Sequence, residues 1–125
     1  VDAVHPLPPI TAEWTLSWAR QLRSLSSPPN DGDTPRHLLA GDFNATMDHY
    51  WFRELLDSGW VDAADARGMG LRSTFGGPGA GEPVPPVTLD HVLVDTDVFV
   101  EHVSARPLPG SDHRMLIVRL RLPAG

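Results

Sequence analysis

The last third of the chain carries three apolar runs of strand length in succession. Val87–Val94, Val98–Ala105 and Met115–Leu122 are rich in Val, Leu and Ile, and Asp95-Thr96-Asp97 and Pro107-Leu108-Pro109-Gly110 break them apart. Upstream the periodicity is helical. Thr11 is a good N-cap and Glu13 suits the first turn, so Trp14, Leu16, Trp18, Leu22 and Leu25 predict one apolar helix stripe. The loop-forming composition of Ser26 to Asp33 ends that helix, and His37–Ala40 reads as a short buried strand. Asp48 is the expected cap of a second helix reaching Leu56. Gly68 to Pro86, rich in Gly and Pro, reads as a long surface loop. With Val1–Val4 as a strand remnant, the order is strand, helix, strand, helix, then consecutive strands, a mixed α/β layer pattern.

The 125 residues amount to one domain. No apolar run reaches the ~18 residues of a membrane-spanning helix. With no Cys, disulfides, thiolate nucleophiles and Cys-ligated zinc are excluded. Ten basic residues, all Arg, face 16 acidic ones, a net charge of −6. That disfavours tight non-specific binding to a nucleic-acid backbone and leans toward a small phosphoester or a lipid headgroup. It leaves room for a site that holds a divalent cation. The chain starts Val1-Asp2-Ala3-Val4, without Met or a signal peptide, and is expected to be an excised piece of a longer protein.

Polar residues that could carry chemistry gather at strand ends. On an extended Gly41-Asp42-Phe43-Asn44, Asp42 and Asn44 would face one side and Phe43 the core. The plain alternative is a turn in which Asp42 and Asn44 bond to nearby backbone. Asp90 interrupts the apolar run Leu89-Asp90-His91-Val92-Leu93-Val94, where a charge is costly unless paired. It either faces solvent on an edge strand or pairs with an imidazole elsewhere. Ser111-Asp112-His113 sets an oxygen ligand beside a titratable base at a strand entrance, or is an exposed polar loop. Trp14 and Trp18 are expected in the core or an interface. His37, His49, His91 and His102 have no partner that the sequence identifies. A zinc hydrolase is disfavoured, since no His-Glu-x-x-His pair occurs.

Taken in order, His5-Pro6, Leu38 to Asn44, Thr74-Phe75, Leu89 to Val94 and Gly110 to Arg114 resemble the C-terminal half of the endonuclease/exonuclease/phosphatase superfamily, in a bacterial branch of it. The resemblance implies an α/β fold: half of a four-layer, DNase I-like sandwich, with a mixed, mostly antiparallel sheet and two main helices, residues 1–125 forming the C-terminal part of the domain. It implies a phosphoester hydrolase of the phosphodiesterase, phosphatase or nuclease type that uses Mg²⁺ or Mn²⁺. Asp42 would activate the attacking water, Asn44 and His113 would hold the phosphate, and Asp90 would pair with His113. His5 would donate to the phosphate, Asp112 would support the metal, and Arg72 and Arg114 would lie near the substrate. The family's first-strand Asn and principal metal-ligand Glu have no counterpart, so the fragment alone is expected to be crippled.

Half of a sandwich would leave a sheet face and an edge uncovered. The expected partners are therefore a phosphoester substrate (nucleic acid, lipid headgroup or small molecule) and either a second copy or the missing half. The branch resembled also implies an extracytoplasmic domain tethered through membrane helices outside this segment. A non-catalytic interaction module or pseudoenzyme fragment is the alternative. It gives no reason for Asp42, Asn44, Asp90, Asp112 and His113 to occur together.

Overall fold

A computed structural model describes residues 1–25, 27–28, 35–77 and 84–124. Among the described residues nine elements run in order: β1 (Asp2–Val4), α1 (Ala12–Ser24), β2 (Leu38–Asp42), α2 (Tyr50–Asp57), β3 (Val61–Asp62), α3 (Ala63–Ala66), β4 (Asp90–Val94), β5 (Phe99–Pro107) and β6 (Arg114–Arg121). One sheet has the order β1-β2-β4-β3, and β5 and β6 form a second, two-stranded sheet. β1 and β2 are parallel and the remaining pairs antiparallel, which makes the fold mixed α/β as the layer pattern predicts. Among the described residues no helix is long and apolar enough to cross a membrane.

Helix α1 begins where the sequence predicts, because Thr11 Oγ1 accepts from Trp14 N at 3.1 Å. Its buried face is narrower than the predicted stripe. Trp18 and Leu22, one turn apart, are buried, whereas Trp14 is 38% and Leu16 62% exposed. Leu16 lies two residues from Trp18, about 200° round the helix, so both cannot face the sheet. Helix α2 is not capped by Asp48. His49 is the N-cap and makes no side-chain cap bond, because its Nδ1 accepts from Thr46 N at 2.8 Å. Most of the predicted 26–33 loop lies outside the described residues.

Alternation along the strands divides the core in two. Leu39 and Leu93 pack with Val4, Phe43 and the buried faces of α1 and α2. Phe43 and Phe52 meet edge to face at 5.5 Å, and each contributes on the order of 2 kcal/mol of apolar burial. Val94, with half-buried Leu38 and Val92, packs instead against Ala63 and Ala64 of α3 and the inward residues of β5 and β6. Strand β6 alternates half-buried and exposed along its whole length, leaving Met115 and Ile117 44% and 39% exposed.

The sequence reading misses β3 and α3, which are too short to show a period. It starts β4 three residues early, since Val87 belongs to an isolated bridge with Phe75. The Gly68 to Pro86 stretch is therefore not all surface loop. Thr74 in it is buried and anchored to Val87 O through its N–H.

Gly41 is the tightest point of the sheet. Its φ is 151°, and an added Cβ would lie 2.0 Å from Val4 O across the parallel β1–β2 ladder. Backbone cannot yield there as a side chain can. Gly41→Ala is expected to cost about 3 kcal/mol or more. Urea unfolding with a midpoint equal to wild type would show that β1 does not lie this close to β2.

Candidate active site

Strands β2 and β4 run antiparallel with Asp42 opposite Asp90, so two carboxylates end the ladder together. His113, just ahead of β6, reaches both. Its Nδ1 lies 2.8 Å from Asp90 Oδ2 and its Nε2 3.6 Å from Asp42 Oδ2. The ring rests against Phe75 at a centroid distance of 4.8 Å. Phe75 is also bridged by backbone to His113, and Arg114 N donates to Thr74 O. Thr74 Oγ1 in turn accepts from both Leu89 N and Asp90 N at 3.0 Å. One buried threonine thereby fixes the height of Asp90 and of His113.

Residues 42–46 leave β2 in a turn held at nearly every residue. Asp42 Oδ1 accepts from Asn44 N at 2.8 Å, and Asn44 takes a φ of 48°, a left-handed conformation that Asn tolerates better than most residues. So the segment is not extended through Asn44, and the Asx turn is what forms. The turn still leaves Asp42 Oδ2 facing His113. Phe43 points into the core as expected, its N–H donating to Leu89 O and its carbonyl accepting from Trp18 Nε1 at 3.0 Å. Asn44 Nδ2 donates to Pro6 O at 2.9 Å, tying the turn to the His5-Pro6 segment.

The other sequence candidates fall at different distances from this centre. His5 is exposed, with Nε2 3.8 Å from Asp42 Oδ2. Asp112 is exposed and lies outside the Asp42, Asp90, His113 group. Arg72 is exposed, and its carbonyl accepts from Thr88 Oγ1. Arg114 is half-buried and held by its N–H as described. Four further histidines have no partner that the sequence identifies, and the structure supplies one for three of them. His49 binds Thr46, His37 lies 3.7 Å from Asp2, and buried His91 binds Asp62.

The ligand atoms of Asp42, Asp90 and His113 all lie within 4.8 Å of one another, so the three could hold a metal ion. The donor set fits a hard divalent cation. Asp42 Oδ2 and the Asp90 carboxylate are the oxygen ligands available to it, whereas His113 Nδ1 is spent on Asp90.

The match to known proteins spans the segment that holds these residues. The model of the Endonuclease/Exonuclease/phosphatase family matches residues 4–113, and the chain belongs to that family. The fold is shared with a mannosyl-6-phosphatase, Bt3783, of Bacteroides thetaiotaomicron VPI-5482, at a TM-score of 0.61 and 16% identity over 93% of this chain and 49% of that one. A conserved protein of unknown function from Enterococcus faecalis V583 gives 0.61 at 20% identity, over 97% and 49%. A Bacteroides thetaiotaomicron endonuclease/exonuclease/phosphatase family protein gives 0.59 at 16%, over 94% and 48%. The chain thus spans about half the length of these structures. A search of curated proteins finds no match.

Partial burial pulls the His113 pKa down, but the Asp90 hydrogen bond and the charges of Asp90, Asp42 and Asp112 outweigh it, so the value rises above 6.5. A raised folded-state pKa gives stability that is full below the unfolded value and is lost as pH climbs through the folded one. In EDTA, the stability advantage of wild type over His113→Gln should therefore shrink as pH rises from 6.5 through the raised value. Urea unfolding across that range checks this, and an advantage that grows with pH contradicts it.

Proposed function

We propose that this chain carries the phosphate-binding and acid/base part of a divalent-metal-dependent phosphoester hydrolase. The convergence of Asp42, Asp90 and His113 at the shared end of β2 and β4 carries this reading. Asp42 orients the attacking water and takes its proton at Oδ2, the oxygen left free by the Asx turn. His113, held by Asp90 through Nδ1, presents Nε2–H to a phosphoryl oxygen and offsets charge there. Its raised pKa favours the protonated donor form. Asn44 has a second amide proton beyond the one given to Pro6, available for a non-bridging oxygen. The Asp90 carboxylate, beside Asp42, would hold Mg²⁺ or Mn²⁺, and the bound ion would polarise phosphate and acidify water. Exposed His5, 3.8 Å from Asp42 Oδ2, is offered to the phosphate, and Arg114 and Asp112 adjoin His113 in sequence. The acidic chain as a whole favours a small phosphoester or lipid headgroup over duplex DNA.

Hydrolysis of bis(p-nitrophenyl) phosphate and p-nitrophenyl phosphate with Mg²⁺ or Mn²⁺ tests the proposal. Only weak metal-dependent turnover is expected of this chain, abolished by EDTA and lowered at least about 100-fold in Asp42→Ala. Turnover that survives in Asp42→Ala would overturn the assignment.

We also propose that the chain self-associates. Among the described strands β6 pairs with β5 alone, and Met115 and Ile117 are exposed on it. Sedimentation should show a dimer or larger species, and a folded monomer at all concentrations would refute this.

A further inference from the structure

His91 takes no part in the arrangement above, yet it is held more completely than any residue in it. Its side chain and that of Asp62 are each 1% exposed. The ring lies against Phe43 at 5.7 Å and Phe52 at 4.3 Å, among apolar neighbours where an unsatisfied ring nitrogen would be costly. Both nitrogens are met. Nδ1 lies 2.6 Å from Asp62 Oδ2, and Nε2 lies 2.7 Å from Ala45 O. A carbonyl only accepts, so Nε2 carries a proton and donates to Ala45. The second oxygen of Asp62 accepts from Asp65 N at 2.9 Å and caps α3, which fixes the carboxylate that fixes the ring.

His91 follows Asp90 on β4, so the two side chains leave opposite faces of one strand. Asp90 reaches His113 on one face. His91 reaches under the turn that carries Asp42 and Asn44 on the other. We infer that His91 is a positioning residue. Through Nε2–H···O=C of Ala45 it ties the Asp42–Ala45 turn to the strand that bears Asp90, and so sets the spacing between the two carboxylates. The kinetic consequence rests on the hydrolase reading above; the geometric one does not.

The two arms of His91 can be cut separately. A Gln amide nitrogen falls near the place of Nε2 and keeps the Ala45 bond, whereas an Asn amide falls near Nδ1 and keeps only Asp62. If His91 merely fills the core, the two variants should behave alike. If it positions the turn, they should differ. The full 125-residue chain is assayed with bis(p-nitrophenyl) phosphate and Mn²⁺, and hydrogen exchange is read at the Asn44 amide, which is bonded to Asp42 Oδ1. In His91→Asn, kcat should fall about 10-fold or more with KM within about twofold, since a displacement near 1 Å costs up to about 100-fold. Asn44 exchange should quicken by about 10-fold, while Val103 and Val118 in the β5–β6 pair stay as in wild type. His91→Gln should stay within about threefold of wild type in both readouts. Where His91→Asn fails to fold, His91→Phe, which fills the gap beside Phe43 and Phe52, takes its place. Equal Asn44 exchange in the two folded variants overturns the inference. A wild type without turnover counts against the hydrolase reading alone, because exchange at Asn44 still decides the positioning role.

Discussion

Asp42 and Asp90 face each other across β2 and β4, and like charges directly opposite on neighbouring strands repel. Such a pair persists only with a compensating positive group. In the protein alone that group is His113, which lies beside both carboxylates and whose protonated form they favour. A divalent cation would meet the same need more strongly, and this links the chemistry of the site to the stability of the sheet. The parts of the structure that look incidental serve this contact. Phe75 backs the imidazole, and Thr74 sets the level of both strand ends.

The turn after β2 shows how a short polar segment is made rigid without a large core of its own. Its anchors come from four directions: Trp18 on α1, Leu89 before β4, Pro6 beside β1 and His91 on β4. Each anchor satisfies a backbone or amide group that would otherwise sit unpaired in a partly buried place. The left-handed Asn44 is tolerated because these bonds over-determine it.

Much of this was legible in the sequence, and the rest was hidden for physical reasons. Gly41-Asp42-Phe43-Asn44 gave the inward Phe43 by strand alternation. Asp90 inside an apolar run required a partner, and an imidazole is what the fold supplies. Trp18 could be placed in the core, but its indole bond to Phe43 O joins residues 25 apart, which no local pattern reveals. His91 and Asp62 are 29 apart. Asp62 lies in a two-residue strand followed by one turn of helix, too short for any period. The one available signal was Asp62-Ala63-Ala64-Asp65, an acid three residues ahead of another, which is the pattern of a helix N-terminus. The capping failure at Asp48 has a local cause instead, since Thr46 N donates to the His49 imidazole, a choice of partner that spacing alone does not announce.

Thr74 also bears on how such a chain reaches its native state. Its hydroxyl joins residues 89 and 90, its carbonyl takes the amide of Arg114, and its own amide goes to Val87. Loops of a dozen to forty residues must close before any of these bonds exists, and closure entropy is spent before the bonds repay it. The helices can form early from local contacts. The carboxylate pair is brought together only when the distant segments have docked, so the site rests on contacts that no helix of this chain can make alone.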